Sequence, residues 1–204
     1  MSTASNHLVY IVDDDQAIRS AISLLLKAEG INSCEFASAD EFLRDFKPHD
    51  QCCLVADVRM PGMSGLELQQ ELNRRHISLP MIIITGHGDI SMAVKAMKAG
   101  ATDFIEKPFR NQALLDRIRD CLAKSAQLQR EQKQRNEATK KLALLTKRER
   151  EIMTHLVAGK LNKQIGAELN ISTRTVEAHR AKLMEKLQAK SVSDIVQIAI
   201  AGED

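Results

Sequence analysis

The sequence predicts an α/β domain built on a doubly wound, five-stranded parallel sheet, followed by a charged helical linker and a small all-α domain of four helices. Three observations predict it. Short apolar runs alternate with amphipathic ones over residues 1–124, the alternation then gives way to a Gln-, Lys- and Arg-rich stretch over 125–143, and everything from 144 to 204 carries helical periodicity. The 204 residues exceed the common single-domain size of roughly 100–150 and leave room for a second, smaller unit. With 44% hydrophobic and 27% charged residues, the chain can bury a core in each.

The strands come first. LVYIV (8–12), CCLVA (52–56), MIII (81–84) and the weaker DFI (103–105) are short and partly β-branched, as parallel strands buried on both faces should be, and a further edge strand is expected near residues 33–36. Helices lie between them. Ile18, Ile22, Leu25 and Leu26 share a helical face that Gly30 can end. Ser38 with Glu41, and Ser64 with Glu67, have capping-box spacing. Asp89 can cap a further helix that ends before Gly100, and Leu115, Ile118 and Leu122 line the last one. Five such βα units in a row specify an open parallel sheet covered on both faces, expected in the flavodoxin-like order 2-1-3-4-5.

The linker, SAQLQREQKQRNEATKKLA, contains neither Pro nor Gly and favours helix over coil. A single helix over residues 111–143 would span about 50 Å. A semi-rigid spacer is the first reading and a partly disordered tether the second. Beyond it, Thr146 with Glu149 forms another capping box, Ile152 and Leu156 mark a buried stripe, and Gly159 ends that helix. Asn162 opens a short helix carrying Ile165 and Leu169. Ser172 opens a longer one to about Leu187, and Ser191 or Ser193 opens the last.

Charge is divided unevenly. Through Asp120 there are 13 Lys and Arg against 17 Asp and Glu, a net −4; from Cys121 onward there are 16 against 10, a net +6. Only the C-terminal part therefore suits a polyanion. Cys34, Cys52, Cys53 and Cys121 lack CxxC spacing and read as buried free thiols, and the six scattered histidines offer no zinc site. No apolar run reaches the ~20 residues of a membrane span, and residues 1–8 lack secretory features, so a cytoplasmic protein without membrane partners is expected.

Ligands of a doubly wound sheet collect at the carboxyl ends of its strands. Asp13 and Asp14 follow the first strand and Asp57 the third, which are neighbours in the 2-1-3-4-5 order, so the three carboxylates should converge. Their repulsion is relieved by a hard divalent cation, and oxygen ligands in a partly solvated site suit Mg²⁺. Thr85 adds a hydroxyl at the fourth strand end and Lys107 an ammonium at the fifth. This set suits phosphoryl transfer to a carboxylate, with Asp57 as the nucleophile between metal and lysine. A cis Lys107–Pro108 bond would aim that lysine. Each residue alone is an ordinary loop acid or surface charge; their joint placement at four strand ends is what points to a site. The chain has no GxxxxGK or kinase-like glycine loop, so the phosphoryl donor must be another molecule.

IVDDD, LVADVRMPGMSGLEL, TGHGD and FIEKPF, in that order, resemble the receiver domain of bacterial two-component response regulators, particularly the FixJ-like group, over residues 8–124. The resemblance implies phosphorylation of Asp57 by a sensor histidine kinase. It also implies Mg²⁺ held by Asp14, Asp57 and the main-chain carbonyl of Arg59, with Asp13 acting through water. Thr85 and Phe104 match the family's switch pair, which remodels the face made by the helix expected after Asp89 and the fifth strand.

The run NKQIGAELNISTRTVEAHRAKLMEKL has a helix, a short turn and a second helix, an arrangement that places the second in the major groove of DNA. At ~100° per residue, Val176, His179, Leu183 and Leu187 face inward. The opposite side carries Arg174, Ala178 and Ala181, flanked by Thr175, Glu177 and Lys182. The alanines allow close approach, Glu177 can accept from cytosine N4, and Arg174 or Lys182 can meet phosphate or guanine. His179 is read as a packing residue before a base contact. Lys147, Arg148, Arg150, Lys160, Lys163, Lys186 and Lys190 surround the motif as candidate phosphate contacts.

LTKREREIM, GKLNKQIGAELNIS and TRTVEAHRAKLMEKL resemble the LuxR-type helix-turn-helix over residues 144–201, in the order found in FixJ-like and NarL-like regulators. By that resemblance Thr175, Glu177, Ala178, Ala181 and Lys182 lie at or near DNA. The stripe Val192, Ile195, Val196 and Ala199 either pairs two subunits or belongs to the core. The function implied is a phosphorylation-dependent homodimer that binds double-stranded DNA and regulates transcription, with RNA polymerase as a candidate partner. Such a receiver catalyses its own phosphorylation and dephosphorylation, while its role is regulatory rather than that of an enzyme. The alternative is a phosphorelay carrier with secondary DNA binding. An RNA-binding output lacks the aromatic residues that stack single strands, with one Tyr and no Trp in the chain.

Overall fold

The structure, a computed structural model, describes residues 7–86, 94, 97, 98 and 100–202. Two compact units divide the chain, residues 1–129 and 130–204. The first holds β1 (His7–Val12), α1 (Gln16–Ala28), β2 (Asn32–Phe36), α2 (Ala39–Asp45), β3 (Gln51–Asp57), α3 (Gly65–Arg74), β4 (Met81–Thr85) and β5 (Asp103–Glu106). All five strands are parallel, in the expected order β2-β1-β3-β4-β5. The helix expected after Asp89 falls largely outside the described residues.

Alternation along the strands builds a core on each face, because successive side chains point to opposite sides. Tyr10, Val12, Leu54, Ala56 and Ile83 meet Phe42 of α2 and Leu68 and Leu72 of α3. Val9, Ile11, Val55, Ile82 and Ile84 meet Ile22 and Leu26 of α1 and Leu114 and Ile118 of the next helix. Both faces of the central strands are thereby dry, and their polar ends can open only at the sheet's rim.

The capping signals act as read, with one difference. Ser64 and Glu67 form a reciprocal box at α3. At α2 the Ser38 hydroxyl accepts from Glu41 N, but the Glu41 carboxylate turns back to Ala37 N at 2.7 Å instead of the cap residue. Gly30 leaves α1 with φ +71°, a conformation other residues enter at a cost. Cys52, Cys53 and Cys121 are buried; Cys34 corrects the expectation, being exposed on the edge strand β2, which has a neighbour on one side only.

Helix α4 runs unbroken from Asn111 to Ala143, so the stretch read as a linker is helical and is shared between the two units. The second unit then folds α5 (Lys147–Val157), α6 (Asn162–Leu169), α7 (Thr173–Leu187) and α8 (Val192–Gly202). Ile152, Leu156, Ile165, Val176, Leu183, Leu187 and Ile195 fill its core, joined by Leu142 from the end of α4. The choice left open for the last helix is resolved for two residues: Ile195 and Ala199 are buried inside the unit, with Val192 and Val196 half-buried. No helix among the described residues is long and apolar enough to cross a membrane.

Candidate functional sites

At the carboxyl rim of the sheet, β1 delivers Asp13, β3 ends on Asp57, β4 ends on Thr85 and Lys107 follows β5. Asp13, Asp57 and Thr85 are buried. Lys107 Nζ donates to Asp57 Oδ1 at 2.5 Å and to Asp13 Oδ2 at 2.9 Å. The remaining oxygens are met by the backbone: Arg59 N donates to Asp57 Oδ2 at 2.6 Å, and Asp15 N to Asp13 Oδ1 at 2.9 Å. The Lys107–Pro108 peptide is cis. Thr85 directs its hydroxyl to the Gly86 carbonyl at 3.2 Å, and Phe104 is exposed on β5.

The pocket carries more negative than positive charge. Burial, helped by the Asp57 charge, holds Asp13 above the ordinary carboxylate range despite the bonds from Lys107 and Asp15 N. Burial draws Lys107 down, but bonds to Asp57 and Asp13 outweigh it and hold the ammonium above its usual value. With two carboxylates against one ammonium, and oxygens as its only side-chain acceptors, the pocket suits a hard divalent cation. The expected convergence of three carboxylates is only two-thirds present. Lys107 stands between Asp13 and Asp57, Asp14 is exposed, and no group of three His, Cys, Asp or Glu side chains is assembled among the described residues.

Two residues that sequence reasoning passed over shape this rim. A β-carbon on Gly65 would stand 2.3 Å from the Asp57 carbonyl oxygen, so α3 starts in direct contact with the backbone of Asp57. Glycine at the first helical position, where its propensity is poor, was the signal for such a close approach. Arg19, one turn into α1, reaches back to the Asp13 and Asp14 carbonyls.

In the second unit, α6 and α7 form the helix-turn-helix. Asn170 turns the chain with φ 52°, and a β-carbon on buried Gly166 would meet the Ile171 carbonyl oxygen at 2.8 Å, so glycine permits this tight turn. Val176, Leu183 and Leu187 are buried and His179 is half-buried, as the helical period required. Arg174, Glu177, Ala178, Ala181 and Lys182 are exposed on α7 and Lys163 on α6. Thr175 is half-buried, its hydroxyl 2.8 Å from that of Ser172.

The basic residues around the motif divide into two groups. Arg148 donates to the Leu169 carbonyl and Arg150 to the Leu142 carbonyl, both at 2.8 Å; Lys160 pairs with Glu168, and Lys186 with Glu149. These four tie the unit together. Lys147, Lys163 and Lys190 are exposed.

Glu149 is the charged residue most deeply held here, 2% exposed, accepting from Thr146 N at 2.8 Å and from Lys186 Nζ at 2.7 Å. Burial pushes its carboxyl up, but Lys186 and Thr146 prevail and hold it at about 2 against an ordinary 4.5. A lowered folded-state value contributes stability above pH 4.5 that is lost as pH falls toward 2. Glu149→Ala is expected to cost on the order of 3 kcal/mol, by removing the cap and stranding Lys186. Urea midpoints at pH 7, 4.5 and 3 for the natural chain, Glu149→Ala and Glu149→Gln check this: both variants should be weaker at pH 7 and lose less on acidification.

The family model of the response regulator receiver domain matches residues 9–119, and that of bacterial regulatory proteins, luxR family, matches residues 143–199. The chain is 45% identical over 192 residues to the transcriptional regulatory protein FixJ of Azorhizobium caulinodans, covering 94% of this chain and 91% of that protein. It is 44% identical over 191 residues to the response regulator protein TmoT of Ectopseudomonas mendocina, covering 94% and 87%. Among solved structures, the response regulator StyR aligns with a TM-score of 0.84 at 40% identity, over 95% of this chain and 98% of that one.

Proposed function

Because the chain belongs to the response regulators that join a receiver domain to a LuxR-type DNA-binding domain, we propose that Asp57 is its phosphoryl acceptor and a sensor histidine kinase the donor. The receiver takes up the phosphoryl signal, and the helix-turn-helix domain regulates transcription. Asp13 shares Lys107 with Asp57, and the observation that favours Asp57 is the closer approach of Lys107 to it, 2.5 Å against 2.9 Å, at the end of β3.

An Asp57 oxygen attacks phosphorus; its O–P bond forms as the N–P bond of the donor imidazole breaks, and the leaving nitrogen keeps the electron pair and is protonated from solvent. Negative charge moves outward onto the phosphoryl oxygens, and the Lys107 ammonium follows it from carboxylate to phosphoryl group. Asp14, Asp57 and the Arg59 main-chain carbonyl would hold Mg²⁺, with Asp13 acting through water. When bound, that ion supplies positive charge to offset the phosphoryl oxygens. Thr85 turns its hydroxyl from the Gly86 carbonyl to the new oxygens, and Phe104 moves with it. The altered receiver face pairs two chains, which occupy a two-fold site on double-stranded DNA. On a promoter this places RNA polymerase within reach as a partner. The receiver thus catalyses its own modification and its reversal, while the output is regulatory.

On DNA, Lys163 meets phosphate and Glu177 meets a base edge. Lys163→Ala should weaken binding equally across sequences and lower the salt slope by about 1. Glu177→Ala should lose about 1–3 kcal/mol of discrimination at one base pair. Anisotropy titrations at two salt concentrations separate the two effects. The function as a whole is tested by footprinting genomic fragments with and without a small acyl phosphate and Mg²⁺. Protected two-fold sites that strengthen with phosphodonor are expected, and protection indifferent to phosphodonor would refute phosphate control.

A further inference from the structure

The loop that follows β1 carries three consecutive acids, Asp13, Asp14 and Asp15, yet only the first and last are tied by their side chains. Asp13 bonds Lys107 Nζ and Asp15 N, while Asp15 caps α1 through Ala17 N at 2.8 Å. Asp14 is exposed, and its carboxylate accepts no hydrogen bond from any of the described residues. With no partner holding the side chain, what the fold fixes at Asp14 is the placement of its Cα–Cβ bond, through the backbone on either side.

That backbone is gripped from α1. Arg19 Nη1 donates to the Asp13 carbonyl at 2.7 Å and to the Asp14 carbonyl at 3.1 Å, so both hydrogens of one guanidinium nitrogen are spent on successive peptide groups. The side chain is only 14% exposed, and its Nε lies 3.9 Å from the Glu35 carboxylate on β2, which steadies the guanidinium from the far side. Two peptide oxygens drawn to one nitrogen fix the orientation of the peptide planes on both sides of Asp14. The same cation eases repulsion among three neighbouring acids. Lysine could place its charge there but lacks the planar fork.

We infer that Arg19 is a positioning residue, whose clamp on the Asp13 and Asp14 carbonyls aims the Asp14 carboxylate and thereby sets the affinity of the acidic pocket for a divalent cation. The inference rests on the reading that Asp14 helps to hold Mg²⁺. Partners that orient metal ligands commonly change affinity 10- to 100-fold when removed. Arg19→Ala is expected to weaken Mg²⁺ binding about tenfold, and Arg19→Lys by a smaller factor.

The experiment titrates MgCl₂ into the full chain, following backbone amide NMR signals of residues 13–15, with thermal melting recorded without Mg²⁺. Natural chain, Arg19→Ala, Arg19→Lys and Asp14→Asn are compared. The expected result is weakened binding in Arg19→Ala, partial recovery in Arg19→Lys, a melting temperature lowered by only a few degrees for both with the fold intact, and the greatest loss of binding in Asp14→Asn. If Asp14→Asn binds Mg²⁺ like the natural chain, the metal reading itself fails and the inference falls with it. If Asp14→Asn loses binding while both Arg19 variants keep natural affinity, the clamp alone is refuted. A loss of affinity matched by a collapse of melting in both Arg19 variants would reduce Arg19 to a fold-stabilising residue and also overturn the inference.

Discussion

An Asp57→Asn chain treated with a small acyl phosphate and Mg²⁺ is expected to show no gain in dimerisation or DNA binding, where the natural chain gains both. Asparagine keeps the size of the side chain and an oxygen to accept from Arg59 N, the bond made at 2.6 Å by the native carboxylate. What it lacks is the anionic nucleophile, and Lys107 is left with Asp13 alone. The rest of the rim and both cores are untouched, so stability should change little while phosphoryl uptake vanishes. A coupling worth tenfold in DNA affinity corresponds to about 1.4 kcal/mol, and the whole of it should disappear. Size-exclusion chromatography and DNA titration with and without phosphodonor read the two gains separately. Full stimulation of the variant would remove Asp57 from the centre of the mechanism.

Gly65→Ala should be the most damaging change of a single methyl group in the receiver. Its β-carbon would lie 2.3 Å from the Asp57 carbonyl oxygen and 3.1 Å from the carbonyl carbon, contacts with backbone that no rotamer can relieve. Gly65 N also donates to the Val58 carbonyl at 3.1 Å, so the start of α3 cannot retreat without losing a hydrogen bond. Overpacking of this kind costs about 1–3 kcal/mol, and the upper end is expected because backbone must move on both sides. The displaced segment is the one carrying Asp57, so phosphorylation should slow as well. Gly30→Ala is the control: φ is +71° but nothing lies within 4 Å of the added carbon, so about 1 kcal/mol and no change in phosphorylation is expected. Urea denaturation and initial rates of phosphorylation compare the two, and equal effects on both would show that contact with Asp57 is immaterial.

Those two glycines mark the boundary of what the chain discloses before its fold is known. The strands, the buried stripes and the caps at Ser64 and Thr146 follow from local periodicity and spacing, whereas the strand order belongs to the doubly wound fold as a whole and not to any local pattern. Asp13, Asp57, Thr85 and Lys107 are legible because strand ends of a parallel sheet share one rim. Gly65 against Asp57, Arg19 against two carbonyls, and Lys186 against buried Glu149 are contacts between separate elements. Nothing in local pattern distinguishes Lys186, an internal tie, from exposed Lys190, because both are cations beside the same helix. The exposed Cys34 was missed for a related reason: its apolar character suggests burial, but β2 is an edge strand whose outer side has no partner.

Asp57 as the acceptor is tested most directly by locating the acyl phosphate. After treatment with phosphodonor and Mg²⁺, borohydride reduction converts a phosphorylated aspartate to homoserine, and tryptic cleavage after Arg44 and Arg59 isolates residues 45–59. Mass spectrometry should find the conversion at Asp57 within that peptide and leave Asp13 and Asp14 unaltered. Conversion at Asp13, Asp14 or any other carboxylate, with Asp57 intact, would contradict it.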